Sequence, residues 1–274
     1  STGLPTKTEQ SDYYAAAFGS HGDNTKVVLS VSTVEDCFYA PHVARYLTEK
    51  LRVPVIILSD YLTSVSYKVF EKPQMNLLEE NVEKISDDIL KRFSLNRLPN
   101  EIEMVKENQS IPGEPEKMRR VTGLNTDATG KVVYNAASVK RANEIRNNKI
   151  HTVRKALTKP EIFGDESGDL LVVSWGSSRG VLEESVRIAR ETGLKVSGLN
   201  LKVVYPLPLN LKEIFSNFKQ VGIIELAYGD ALKASPLSMM LRSETLVDIK
   251  QLVTEPTGRP IKPTTVIERI KEVL

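Results

Sequence analysis

Apolar positions along the chain fall into two kinds of run. Residues 27–31 and 53–58 are nearly continuous and rich in β-branched side chains, while residues 33–50 between them carry a helical pattern. Apolar runs flanking a helix predict parallel strands buried on both faces. Ser32 or Thr33 is placed to cap that helix, with Glu35 and Asp36 in its first turn, and Pro41 is expected to kink or restart it. Prolines 73, 99, 112, 115 and 160 punctuate a polar middle in which only residues 76–93 and 138–157 have helical periodicity. Alternation then returns, with strands predicted at 170–175, 196–204, 221–226 and 245–249. Helices are predicted at 180–192, 209–218 and 264–274, the last just after Pro263. Repeated strand-helix-strand units of this kind form right-handed connections in a mainly parallel sheet.

The pattern divides the chain into three parts. Residues 1–72 make half of an α/β layer, 73–166 an extended linker or arm with helices, and 167–274 a second α/β domain. A chain of 274 residues with 41% hydrophobic content has room for two cores. Net charge is +2 with 26% charged residues of both signs, so nothing demands a nucleic acid or an acidic membrane surface. No apolar run reaches the roughly 18–20 residues of a membrane span and no basic-then-apolar leader is present, so a soluble, cytoplasmic protein is expected.

The single cysteine, Cys37, excludes an internal disulfide and a cysteine-ligated zinc or iron-sulfur centre within this chain. It is expected to be buried and inert beside Phe38; the alternative is a thiol activated by a helix N-terminus. Of the three histidines, His21, His42 and His151, none has a metal-ligand neighbour at helical spacing. Only His21 lies in a functional-looking turn, where it would donate a hydrogen bond near a cleft or fix the loop through Asp23.

Candidate chemistry concentrates at the start. Residues 1–10, Ser-Thr-Gly-Leu-Pro-Thr-Lys-Thr-Glu-Gln, put hydroxyls, a glycine and a proline into one polar turn. Gly3 permits close approach, Pro5 fixes a backbone angle, and Thr2 and Thr6 offer hydroxyls that suit a carboxylate or phosphate. The structural alternative is a cap for a helix over 9–18. In residues 138–157, Lys140, Arg141, Arg146, Lys149, Arg154 and Lys155 face the lone acid Glu144, which suits an acidic partner, a phosphate-bearing ligand or simply a solvated face. Trp175-Gly176-Ser177-Ser178-Arg179-Gly180 reads as a structural turn or an anion loop, without dinucleotide or triphosphate spacing. Glu225 and Arg259 are expected near an interface in solvated or salt-bridged roles. No nucleophile elbow and no paired catalytic carboxylates are present.

The opening decapeptide, the turn at 18–23 with its strand, the segment Ser32-Thr33-Val34-Glu35-Asp36-Cys37-Phe38 and the strand at 53–60 together resemble the α subunit of 2-oxoacid:ferredoxin oxidoreductases, in order and spacing. The resemblance fades through the middle and returns diffusely from about residue 169. It implies an incomplete parallel-sheet pyrimidine-binding domain of a thiamine diphosphate enzyme, followed by a domain of transketolase C-terminal type. It also implies oxidative decarboxylation of a 2-oxoacid, 2-oxoglutarate and/or pyruvate, to an acyl-coenzyme A with reduction of ferredoxin. The cofactor supplies the electron sink. By position in the matching motif, Thr2 and Thr6 would bind the substrate carboxylate, Gly3 and Leu4 would shape the cleft wall, and Lys7 would help electrostatically. Asp127, in the turn 122–127, resembles a loop near the substrate entrance, and His21 would lie by the cofactor.

Several family parts are not in this sequence. The Tyr-Pro-Ile-Thr-Pro loop, an arginine and the glutamate that activates the cofactor are expected upstream of Ser1, so the chain is expected to be a processed product or part of a longer polypeptide. The Gly-Asp-Gly motif and cluster cysteines are expected on a β subunit. The resemblance therefore places thiamine diphosphate with Mg2+ at the interface with that partner, a 4Fe-4S cluster on the partner, coenzyme A as co-substrate and ferredoxin as acceptor. The chain alone is expected to be inactive. A non-catalytic docking module and a flavodoxin-like or nucleotide-binding protein are the alternatives.

Overall fold

The computed structural model describes residues 4–73, 82–100, 102, 113–116, 118, 122–127 and 130–274. The first part contains α1 (Tyr13–Phe18), β1 (Val27–Ser30), α2 (Val34–Leu51), β2 (Val55–Leu58) and α3 (Tyr61–Val65). A 3₁₀ turn at Val82–Lys84, α4 (Asp87–Lys91) and α5 (Ala136–Ala156) follow. The remainder runs β3 (Ile162–Phe163), β4 (Gly168–Trp175), α6 (Ser178–Glu191), β5 (Val196–Leu201) and β6 (Val203–Tyr205), then α7 (Leu211–Ser216), β7 (Phe218–Ile224), α8 (Pro236–Thr245), β8 (Ile249–Val253) and α9 (Pro263–Val273).

These strands form a three-stranded sheet, β2-β1-β6, and a five-stranded sheet, β3-β5-β4-β7-β8. β1 and β2 are parallel in the register Val27 to Val55 through Ser30 to Leu58, as expected for strands joined by a helix. The second sheet is parallel from β5 through β8, with only the short edge strand β3 antiparallel.

Local chemistry explains the boundaries. Thr33 is extended and its hydroxyl accepts from the Asp36 amide at 3.1 Å, which caps α2 as its sequence predicts. Pro41 does not restart the helix: α2 is a single run to Leu51, and its buried face of Ala40, Val43, Tyr46, Leu47 and Leu51 holds it against the first sheet. α1 begins at Tyr13 rather than Glu9, because Thr8 and Gln10 are buried in an extended segment and bonded elsewhere. Of the helix expected over 76–93, residues 74–81 lie outside the described residues; the rest is the 3₁₀ turn and α4. α5 forms as expected, capped by Asn135, with only Val153 and Ala156 buried along it. Its Arg154 is held inward, donating from Nε to the Leu207 carbonyl at 3.0 Å and pairing with Glu244.

Two expectations for the C-terminal part are corrected. The apolar run 196–204 is not one strand: it breaks at Lys202, so that β5 lies inside the second sheet while β6 crosses to pair antiparallel with β1. The strand expected at 245–249 is the end of a helix and its exit. α8 opens with Pro236 at its first turn and buries Leu237, Ser238, Leu241 and Thr245 on one face, and Leu246 in the left-handed region closes it. Polar Ser238 and Thr245 on that face hid the helical period.

One hydrophobic core spans both sheets. Val28 and Val204 of the first sheet pack with Leu171, Val173 and Ile223 of the second around Tyr13, whose hydroxyl donates to the Val204 carbonyl at 2.9 Å. α2 and α4 cover the outer face of the first sheet, and α6 and α9 that of the second. Among the described residues no helix is long and apolar enough to cross a membrane.

Candidate functional site

Parallel strands direct their carboxyl ends, and the helix starts that follow, to one side of a sheet, where ligands of open α/β folds bind. Here the ends of β1, β2 and β4 meet around a crevice of about 440 Å³, lined by Thr8, Thr33, Leu62, Ser178, Leu226 and Pro263 among others. Asp60, after β2, joins the two sheets. Its Oδ1 accepts from the Thr63 amide at 2.9 Å and caps α3, and its Oδ2 accepts from the Ser177 amide at 3.3 Å ahead of α6. Gly176 between β4 and α6 has φ +62°, and a Cβ there would lie 2.8 Å from Gln10 Nε2. That turn requires glycine.

Some polar groups beneath the crevice are paired across the sheets, while the buried hydroxyls of Ser30, Thr63, Ser177 and Ser178 have no hydrogen-bond partner among the described residues. Ser32 Oγ donates to Asn200 Oδ1 at 2.6 Å, and Asn200 Nδ2 to Ser174 Oγ at 3.0 Å. Buried Asp36 accepts from the Ser32 amide at 3.2 Å and from Lys202 Nζ at 2.8 Å. Glu225 is fully buried, which corrects its expected solvated or salt-bridged role. Its carboxylate accepts from Trp175 Nε1 at 3.0 Å and from the Leu237 amide at 3.1 Å, and burial pushes its pKa up to about 7. Arg259 is exposed, its amide 3.3 Å from Thr257 Oγ1.

Of the opening bend, residues 4–7 lead up to Thr8 at the crevice. Thr2 and Gly3 lie outside the described residues. Leu4, Thr6 and Lys7 are exposed, and none of them lines the crevice. Thr6 has φ +50° and its hydroxyl donates to the Pro5 carbonyl at 2.8 Å. Lys7 Nζ sits 6.0 Å over the Tyr61 ring. Leu4 and Lys7 pack on Gly258, where a Cβ would come within 2.9 and 2.8 Å of them.

Sequence reasoning missed Thr8, which lines the crevice, and Gln10, which is buried beside it and bonded to Leu226 of its lining. Thr8 Oγ1 accepts from the Leu62 amide at 3.0 Å; Gln10 spans to the second sheet. Charged Lys7 and Glu9 alternate with them, the period of an extended segment with one buried face, and that was the available signal.

The other candidates lie away from this lining. Asp127 sits in a tight turn, its Oδ1 accepting from the Lys131 amide at 3.1 Å. His21 is exposed in the turn after α1, and the neighbouring Asp23 faces α5, with Asn147 Nδ2 3.4 Å away. Cys37 is exposed, which corrects the buried inert thiol. Nor is it activated: desolvation and the nearby Asp36 and Asp60 carboxylates push its pKa up. Among the described residues no group of three histidine, cysteine, aspartate or glutamate side chains is placed to hold a metal.

Two family profiles match the chain. Pyruvate flavodoxin/ferredoxin oxidoreductase, thiamine diP-bdg, covers residues 1–142, and pyruvate:ferredoxin oxidoreductase core domain II covers 168–266. The 2-oxoglutarate oxidoreductase subunit KorA of Mycobacterium tuberculosis is 31% identical over 264 residues, 94% of this chain and 38% of that protein. The 2-oxoglutarate synthase subunit KorA of Methanothermobacter marburgensis is 30% identical, over 84% of this chain and 60% of that one. A solved 2-oxoglutarate:ferredoxin oxidoreductase from Magnetococcus marinus, with 2-oxoglutarate, coenzyme A and succinyl-CoA bound, superposes on 99% of this chain and 46% of its own at a TM-score of 0.81 and 29% identity. The chain thus spans between 38% and 60% of the length of these relatives.

Proposed function

This chain belongs to the pyruvate flavodoxin/ferredoxin oxidoreductase family, and we propose that it is the portion of an α subunit that presents a 2-oxoacid, 2-oxoglutarate ahead of pyruvate, for oxidative decarboxylation to an acyl-coenzyme A and carbon dioxide. The observation that carries this reading is the superposition of nearly the whole chain on a 2-oxoglutarate:ferredoxin oxidoreductase. The remainder of the α chain, a β subunit and ferredoxin complete the reaction.

The donor set bears on which subunit holds the cofactor. The crevice offers hydroxyls and one exposed carboxylate, Glu184, which already pairs with Arg187. Such a set fits contacts to an organic anion and does not fit the Mg2+ of a diphosphate. This supports assigning the Mg2+ and diphosphate of thiamine diphosphate to the partner, to which the reading also assigns a 4Fe-4S cluster. When bound, the thiamine supplies the electron sink for loss of carbon dioxide.

This chain's own task is to bind and orient. Thr2 and Thr6 donate to the oxoacid carboxylate, the Thr6 hydroxyl exchanging the Pro5 carbonyl for the substrate. Gly3 and Leu4 are assigned to the cleft wall and the Lys7 ammonium to charge complementarity, roles that exposed Leu4 and Lys7 would take up only against the rest of the assembled enzyme. Asp127 is assigned to the substrate entrance and His21 to the cofactor side.

The test uses the assembled enzyme. With the upstream α segment and the β subunit present, reduction of a viologen dye is expected to require both 2-oxoacid and coenzyme A, and the isolated chain is expected to show none. Thr6→Ala, which removes a hydrogen bond to a charged group, should raise the KM for 2-oxoglutarate about tenfold and change kcat by less than about twofold. Dye reduction by the chain alone, or an unchanged KM in Thr6→Ala, overturns the reading.

A further inference from the structure

Residues 8–10 are tied to both sheets, although the bend they support lies on the surface. Thr8 Oγ1 accepts from the Leu62 amide of α3, on the side of the first sheet. Gln10 makes three bonds to the second: its amide donates to the Leu226 carbonyl at 2.8 Å, its Oε1 accepts from the Leu226 amide at 2.7 Å, and its Nε2 donates to the Trp175 carbonyl at 2.9 Å. Gln10 is 2% exposed, so these bonds exchange little with water. An extended segment that completes the backbone bonding of two neighbouring strand ends behaves as a splint. Its position is fixed by those ends and it fixes the short bend attached to it.

We propose that Gln10 is the positioning residue of the oxoacid-binding bend, locking residues 4–9 at the rim of the crevice through the ends of β4 and β7. The inference rests on the reading of the bend as the carboxylate-binding segment. The side chain makes no contact with substrate; it sets where Thr6 stands. Two neighbours explain why glutamine suits the place. Gly176 leaves room for its amide, since a Cβ there would lie 2.8 Å from Nε2, and the same residue's φ of +62° turns the chain out of β4 directly below it. A shorter amide would not span from the bend to both Trp175 and Leu226, and a carboxylate would set an anion against the Trp175 carbonyl.

The experiment compares Gln10→Leu, Gln10→Glu, Gly176→Ala, Thr6→Ala and the double variant Thr6→Ala/Gln10→Leu in the assembled enzyme. Each Gln10 variant and Gly176→Ala is expected to raise the KM for 2-oxoglutarate about fivefold to tenfold, with kcat and the KM for coenzyme A within twofold. The double variant should be no worse than Thr6→Ala alone, because both changes remove the same contact. Hydrogen exchange supplies a readout independent of turnover: amides of residues 4–9 should exchange at least tenfold faster in Gln10→Leu, with α2 and α6 unchanged. Unchanged exchange and KM in the Gln10 variants while Thr6→Ala raises KM overturns the positioning role alone. An unchanged KM in Thr6→Ala with faster exchange in Gln10→Leu keeps the splint and overturns the substrate reading of the bend. A Gln10→Leu that fails to assemble leaves Gln10→Glu and Gly176→Ala to decide by the same two measurements.

Discussion

Lys202→Met should destabilise the protein by about 3–5 kcal/mol, the cost of leaving a buried carboxylate without its partner. Lys202 stands where the run from Val196 to Tyr205 leaves one sheet for the other. Its Nζ is 2.8 Å from Asp36 Oδ1, with side-chain exposures of 13% and 1% for the two groups. Burial lowers the Lys202 pKa, and the Asp36 carboxylate opposes that fall. Among the described residues, Asp36 keeps the Ser32 amide alone when the ammonium is removed. Methionine keeps an unbranched stem of similar length but also gives up the ammonium's place 5.6 Å over the Phe93 ring, so the loss combines the ion pair with that cation–π contact. Urea unfolding should show a lower midpoint at unchanged m, and Asp36→Asn/Lys202→Met should recover part of the loss, since removing both charges is cheaper than stranding one. A single variant within about 1 kcal/mol of the parent would show that the carboxylate is well solvated.

The second large effect is in pH. Glu225 titrates near 7 in the fold against 4.5 as its ordinary value, with burial as the cause. A raised carboxyl holds its proton longer in the native state than in the unfolded chain. Its contribution is fully present below about pH 4.5 and is lost as pH rises through 7. The loss amounts to on the order of 3 kcal/mol by pH 8. Glu225→Gln does not titrate, so its stability relative to the parent should improve by that order between pH 5 and pH 8. Denaturant unfolding at pH 5, 6.5 and 8 reads the difference. A gap that stays constant across the range would mean that the carboxyl is already ionised in the native state at pH 5. The acid lies between Trp175 and the start of α8, and Leu226, its neighbour in sequence, is bonded to Gln10, so the ends of β4 and β7 share one buried polar group.

Much of this was readable in the chain. Continuous apolar runs announced β1, β2, β4 and β7, and Thr33 with its acidic first turn marked the start of α2, because burial on both faces and capping leave local signatures. The order and spacing of the first segments carried the family resemblance. The crevice and the buried contacts beside it were less legible. Thr8 and Gln10 look like any polar pair until Leu62, Trp175 and Leu226 are brought beside them.

The sequence by itself determined the α/β alternation, the capped helix starts and the family of the chain, since each is written in residues that are neighbours along the backbone. Only the tertiary structure decided that the apolar run around Lys202 is divided between strands of two sheets, that Glu225 is buried, and that Gln10 is bonded to the ends of β4 and β7. Those outcomes depend on partners far apart in sequence, and the free energy of burying a charge or a hydrogen bond is set by what surrounds it, not by its own identity.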